Sequence, residues 1–307
     1  MKRLHSHPKK FESKRLCKYS FFLNLLPAAL MLGFALFVSA DVNGYHVEFD
    51  IQQTPIRTYL IAGQSNADGY GLGSGVLDHG ILAPAYNLYD IGRESLAQEH
   101  NQVSIFKGDY DDGGGSWNQL ASGFGIPGNG SRFGPELSFG YAVQEFFGER
   151  VALIKYARGA TSLAEDWDPE DNGINQYDYF LVTVNNAVSL AHAAGDQLEI
   201  AGIIWMQGED DSTVEEFAEN YKQNLEYFIG SVRQDLGLPE LEFYIGSIAD
   251  STVWTYRETL WDAQEQVAAN DPGVLLVDGR DLPVLYNDGA DASYIHYSTP
   301  GQVELGY

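Results

Sequence analysis

Along this chain, short apolar runs alternate with longer stretches whose apolar residues recur every three or four positions. Thr58-Tyr59-Leu60-Ile61-Ala62 reads as a first buried strand, and the runs at 151–156, 200–206, 241–248 and 274–277 as four more. The stretches between them carry helical signatures. Pro135 fits the first turn of a helix through Leu137, Tyr141, Val143 and Phe147, and Gly148 ends it. Residues 177–194, 213–236 and 255–270 read as further helices, the second with Phe217, Tyr221, Leu225 and Phe228 along one face. Strands that alternate with helices imply a parallel sheet covered on both faces.

Three segments break this rhythm. Residues 41–55 form a mixed lead-in with an edge strand at 45–49. Residues 68–134 are dense in Gly, Asn, Asp and Ser, with short apolar pieces such as Val103-Ser104-Ile105-Phe106. A loop of that length inside a compact domain is usually functional, here a substrate-facing insertion. Within it, Asp109-Tyr110-Asp111-Asp112-Gly113 lacks the alternating ligand spacing and distal glutamate of a calcium loop and reads as a solvated turn. Residues 300–307 look like the opening of a closing helix that stops after about two turns, so the segment before it is expected to be less firmly packed than the strands.

Open parallel sheets bind ligands beyond the carboxyl ends of their strands. Polar clusters fall at those places: Gly63-Gln64-Ser65-Asn66 after the first strand, Ala157-Arg158-Gly159-Ala160-Thr161 after the second and Gln207-Gly208-Glu209-Asp210 after the third. His296 follows the fifth. Four clusters from distant parts of the chain thus converge on one rim.

The amino terminus belongs to a different problem. Lys2, Arg3, Lys9, Lys10, Lys14, Arg15 and Lys18 precede a mostly apolar stretch at 25–38, and Val38-Ser39-Ala40 offers small residues for cleavage before Asp41. Residues 1–40 therefore read as a secretory signal peptide, and 41–307 as a single domain. A membrane anchor is the weaker alternative, because Asn24 and Pro27 interrupt an apolar run already short for a bilayer span. The one cysteine, Cys17, lies within the leader, so the mature chain holds no disulfide. Of 18 basic and 43 acidic residues, cleavage leaves 11 and 42, a formal charge of −31. Such a chain repels nucleic acid and anionic membrane, and suits a secreted or periplasmic protein.

Ester hydrolysis needs a nucleophile, a base, a group that orients the base and donors for the oxyanion. Ser65 can be the nucleophile and His296 the base. The backbone amides of Ser65 and Gly159 and the side-chain amide of Gln207 are candidate oxyanion donors.

Together with Arg132-Phe133-Gly134-Pro135-Glu136 and Trp205-Met206-Gln207-Gly208-Glu209, these blocks resemble the SGNH/GDSL-type carbohydrate esterases. Within that group they look most like the sialate O-acetylesterase and plant-type acetylesterase branch, from about residue 57 to the end. The resemblance implies a three-layer α/β/α sandwich, flavodoxin-like, with a central, mostly parallel five-stranded sheet. It also implies removal of acetyl groups from sugars without a metal or organic cofactor, with Ser65 as nucleophile, His296 as base, and Gly159 and Gln207 at the oxyanion.

One position departs from the family pattern. The acid usually stands three residues before the histidine, where this chain has Ser293; Asp291 is the expected acid in its place, with Asp288 or a backbone carbonyl as alternatives. Glu209 and Asp210 read as groups that shape the loop after the third strand. An α/β-hydrolase fits poorly, since Ala67 stands where its second flanking glycine belongs. A lipase or thioesterase of the same class would need more aliphatic residues in 68–134, and a non-catalytic carbohydrate-binding protein is the alternative outside enzymology. Tyr70, Trp117, Phe124 and Trp167 are the aromatics that can stack on a sugar in either case.

Overall fold

The structure, a computed structural model, describes residues 39–42, 45–48, 54–74, 87–127, 130–285 and 295–307. Residues 1–38, Cys17 among them, lie outside the described residues, as do Asp288, Asp291 and Ser293. The chain divides into two units, Met1–Thr54 and Pro55–Tyr307. In the first, β1 (Ser39–Val42) and β2 (Tyr45–Glu48) pair antiparallel. The strand expected at 45–49 is thus present, within a ribbon of its own.

The second unit is built on β3 (Ile56–Gly63), whose alternate residues face opposite layers. Leu60 and Ala62 join one core cluster with Ile154, Tyr156, Trp205 and Phe228; Tyr59 and Ile61 join the other with Leu153, Leu137 and Val303. A continuous apolar run is therefore what a strand between two helical layers requires. Its parallel neighbours are β8 (Val151–Ala157) and β9 (Leu198–Met206), and beyond β9 lie β10 (Glu242–Gly246) and β11 (Val274–Val277), also parallel.

Among the described residues the sheet has seven strands, not the five expected: with β5 (His100–Lys107) and β6 (Trp117–Leu120) the order is β11-β10-β9-β3-β8-β5-β6. The two added strands come from the region read as a long loop. In β5, parallel to β8, Val103, Ile105 and Phe106 are fully buried; β6 closes the edge antiparallel. The same region supplies a small ribbon, β4 (Gly71–Leu72) against β7 (Arg132–Phe133). Asp109 to Gly113 forms the turn between β5 and β6, with the Asp111 amide donating to Asp109 Oδ1 at 3.0 Å.

Helices cover both faces. After the one-turn α1 (Ser65–Asp68), α2 (Glu136–Phe147) is entered through Pro135 and closed by Gly148 at φ 68°. Helix α3 (Gln176–Ala193) begins on a capping box between Asn175 and Asp178. Helix α4 (Glu215–Asp235) starts later than expected because 211–213 form a tighter turn, and α5 (Arg257–Asn270) and α6 (Thr299–Leu305) complete the layers.

The carboxyl-terminal segment is held more firmly than expected. Tyr297 is fully buried, its hydroxyl within hydrogen-bond distance of Ser247 O and Gly279 O, and Thr299 Oγ1 accepts from the Leu72 amide at 2.9 Å. The short α6 buries Gln302 and Val303.

Candidate active site

Ser65 stands at the first position of α1, one residue past Gln64, where β3 ends. The turn is pressed against the end of β9: the Gln64 amide donates to Met206 O at 3.0 Å, and Gly63 adopts φ 138°. A Cβ on Gly63 would overlap the Met206 carbonyl, so only glycine permits this approach. The turn then closes on itself, with Asp68 N donating to Gln64 O and Gly69 N to Ser65 O, both at 2.8 Å.

The segment after β8 runs alongside. Arg158 N donates to Gly63 O at 3.0 Å, and a Cβ built on Gly159 would come 3.2 Å from that of Ser65, so glycine lets this backbone lie against the serine. Ala160 follows at φ 56°, the one non-glycine residue at positive φ among those described. The buried Asp211 then fixes the segment, accepting from Leu163 N at 2.8 Å and Ala164 N at 3.1 Å. Burial pushes its carboxyl up to about 6.

Asp211 also determines the fate of Gln207. That side chain is fully buried and does not line the cavity at Ser65; its Nε2 donates to Thr161 O at 3.0 Å and to Asp211 Oδ2 at 2.5 Å. Tyr221 donates to its Oε1 at 3.1 Å. The oxyanion role expected for Gln207 is corrected accordingly: its amide supports the loop from behind. The glutamine that does line the cavity is Gln64, beside the serine, although its amide oxygen is buried.

His296 arrives from the other end of the chain, 9% exposed. Asn66 brackets it, its Nδ2 donating to Ile295 O at 3.1 Å and its Oδ1 accepting from Tyr297 N at 2.9 Å. The residue after the serine therefore grips the peptide groups on both sides of the histidine. Asn66 Nδ2 also donates to Glu209 Oε1 at 2.6 Å, while Gln64 Nε2 donates to Glu209 Oε2. Glu209 thus ties together both neighbours of Ser65: the role expected of it in the loop after the third strand falls instead on the turn after the first. Its complete burial pushes its carboxyl up to about 7, against the opposing pull of those two hydrogen bonds. Asp291, expected to orient His296, lies outside the described residues.

Ser65, Gly159 and His296 line one cavity of about 490 Å³, with Gln64, Tyr70, Tyr110, Ile126, Arg158, Asp210 and Trp254. Of the four aromatics considered as sugar platforms, only Tyr70 is on this wall. Trp167 is buried in the core against Trp205 at 5.0 Å, and Trp117 turns its Nε1 to Ala187 O. Phe124 packs against the second core cluster. Tyr110 and Trp254 were not singled out from the sequence. Tyr110 is anchored by a hydrogen bond to the buried Asp68, and the Arg158 guanidinium lies 4.7 Å over its ring. Below the site, Lys155 is fully buried and donates to Glu136 Oε2 at 2.6 Å and to Asp68 O at 2.7 Å. Burial drives its ammonium below the usual lysine range. Among the described residues no group of three or more His, Cys, Asp or Glu side chains is arranged to hold a metal ion.

Comparisons with known proteins bear on the family and the fold. A family model described as carbohydrate esterase, sialic acid-specific acetylesterase, matches residues 55–307. A probable carbohydrate esterase of Arabidopsis thaliana is 28% identical over 176 residues, a match that spans 56% of this chain and 60% of that protein. Its crystal structure superposes with a TM-score of 0.62 at 24% identity, covering 82% of this chain and 95% of that one. A carbohydrate acetylesterase of Xanthomonas citri gives a TM-score of 0.53 at 16% identity, over 86% of this chain and 57% of the other. NanS gives 0.54 at 15% identity, over 82% and 93%. At these identities the superpositions establish the α/β fold.

Proposed function

Since this chain belongs to the sialic acid-specific acetylesterase family of carbohydrate esterases, of the SGNH type, we propose that it is a serine esterase that removes O-acetyl groups from carbohydrates. The observation that carries this reading is the meeting of Ser65, Gly159 and His296, from three distant stretches of chain, in one open cavity at the carboxyl ends of the strands. His296 takes the proton of Ser65 Oγ as that oxygen attacks the acetyl carbonyl. The negative charge that develops on the carbonyl oxygen is held by the backbone amides of Ser65 and Gly159. Gln64 supplies the third donor: its Nε2 carries two hydrogens, of which Glu209 takes one. The imidazolium returns its proton to the departing sugar oxygen, which leaves an acetyl group on Ser65. Water, deprotonated by His296, attacks that ester and releases acetate.

The lining favours a sugar over a long acyl chain. Among the described residues, Ile126 and Ile295 are the only aliphatic members larger than alanine, whereas Tyr70, Tyr110 and Trp254 offer rings, and Arg158 and Asp210 offer charged hydrogen-bonding groups. A panel of acetylated glycans, assayed for free acetate beside a long-chain ester such as p-nitrophenyl octanoate, tests the proposal. Acetate release is expected, with octanoate turned over at least tenfold more slowly, and His296→Asn is expected to lower acetate release by about three orders of magnitude. Preference for octanoate would favour a lipase of the same fold, and sugar binding without acetate release a non-catalytic binder. Export through the leader at 1–40 is a separate proposal, tested by sequencing the amino terminus of the secreted chain, with Asp41 expected first.

A further inference from the structure

The esterase reading gives roles to Ser65, His296, Gly159 and Gln64 but none to a stack of three side chains beside them. The Tyr70 ring lies parallel to the His296 imidazole, with centroids 3.5 Å apart and planes 9° from parallel. The Arg132 guanidinium carbon lies 4.4 Å from the Tyr70 ring centroid, and since the imidazole fills one face at 3.5 Å, the guanidinium takes the other. Guanidinium, phenol and imidazole form three layers, and the outer two belong to side chains that are 8% and 9% exposed as residues.

The layers are assembled by the fold. Tyr70 immediately precedes β4, and Arg132 stands in β7 opposite Leu72 across the ribbon that the two strands make. One turn before Tyr70 is Ser65, in α1. The segment that carries the nucleophile therefore continues directly into the surface on which the base rests. Asn66 fixes the backbone on both sides of His296 but does not set the torsion of the ring. A general base must present one nitrogen to the serine hydroxyl within a narrow angle, and terminal sp³–sp² torsions such as that of histidine have broad wells, so neighbouring groups set the angle. A parallel ring at van der Waals distance restricts this one.

We propose that Tyr70, backed by Arg132, is a positioning residue that sets the plane of the His296 imidazole for proton transfer with Ser65. The proposal rests on the esterase reading above. Any large flat ring at position 70 satisfies it, so the phenol hydroxyl is dispensable, and Arg132 acts at one remove by holding the ring flat.

The test uses the purified chain with p-nitrophenyl acetate, whose acyl group is the smallest the reaction admits, and with a fluorophosphonate that labels an activated serine. Tyr70→Phe is expected to retain kcat within about twofold. Tyr70→Leu, which fills similar space without a π face, is expected to lose about tenfold or more in kcat and in the Ser65 labelling rate, with KM changed little. Arg132→Met, which keeps the ribbon and removes the cation, is expected to lose about threefold. A third readout follows the imidazole protons of His296 by NMR, assigned through His296→Asn. They are expected upfield in the wild type and Tyr70→Phe, through the ring current of the stacked aromatic, and shifted downfield in Tyr70→Leu. Should Tyr70→Leu fail to fold, Arg132→Met and the wild-type NMR positions decide the question. Wild-type labelling at Ser65 together with unchanged kcat in Tyr70→Leu and Arg132→Met, or unshifted His296 protons in the wild type, overturns the inference and leaves the esterase reading intact. A wild type that neither turns over ester nor labels at Ser65 removes both.

Discussion

Gln64 and Gln207 are the same residue type, each beside the end of a central strand, and the structure places them differently. Gln64 lines the cavity, whereas Gln207 does not and its amide is bound to Thr161 O and Asp211. Gln64→Ala is expected to lower kcat by roughly 10²-fold with KM nearly unchanged, as loss of an oxyanion donor does. Gln207→Leu is expected to act on stability, by about 1–3 kcal/mol, because Thr161 O and the Asp211 carboxylate lose a buried partner. Steady-state kinetics and thermal melts on the two variants separate these outcomes. Ala160, at φ 56° beside Gly159, gives a third expectation: Ala160→Gly relieves a left-handed alanine and should raise stability by roughly 0.5–1 kcal/mol on a denaturant titration. That Ser65 and Gly159 line one cavity was legible in the sequence because each stands two residues past the end of a parallel strand, whereas His296 follows β11 by 19 residues and was legible only as the histidine late in the chain. The difference between the two glutamines was not, because it depends on where Asp211 and Thr161 lie, and neither is fixed by local pattern. Tyr70 was read as a sugar platform since its partner His296 is far along the chain.

At the scale of elements, the sequence read most clearly where burial enforces a period. Strand β11 fell on its expected bounds, and α2 ended at Gly148 as foreseen. The misses cluster in 68–134, where β5 and β6 are short on apolar residues and embedded among Gly and Asp. β5 lies one strand in from the edge, but its first residues run beyond its pairing with β8, which begins at Val103: His100, Asn101 and Gln102 are partly or largely exposed, and only Val103, Ile105 and Phe106 carry the pattern. The join between this edge and the site is the charged core under α1, where Lys155 of β8 meets Glu136 of α2 and the backbone of Asp68. Removing one partner of a buried ion pair leaves the other uncompensated. Lys155→Met is therefore expected to cost roughly 3–5 kcal/mol, and to be partly rescued by adding Glu136→Gln, in a double-mutant cycle followed by denaturant unfolding.

For the molecule as a whole, two buried carboxyls near the site couple its stability to pH. Burial raises Glu209 from an ordinary 4.5 to about 7 and Asp211 from 3.8 to about 6. In each case the folded state holds a proton that the unfolded chain has already lost. The stabilisation they give is thus complete below pH 4 and falls away as pH rises through about 6 for Asp211 and 7 for Glu209. Glu209→Gln removes one of these titrations, so its melting temperature is expected to fall less than that of the wild type between pH 5 and pH 8, with a differential of roughly 2–3 kcal/mol at most. Equal pH dependence in the two proteins would mean that Glu209 is ionised throughout that range. The same carboxyl holds Gln64 and Asn66 on either side of the serine, so the acid that stability depends on also shapes the nucleophile turn.

The central claim is that Ser65 forms and loses an acetyl ester, and acetate release from an acetylated sugar by wild type and Ser65→Ala, measured side by side, tests it most directly. Release by the wild type and a loss of at least 10³-fold in the variant, at unchanged melting temperature, is the predicted result. Release that survives Ser65→Ala, or its absence from a folded wild-type protein, would contradict it.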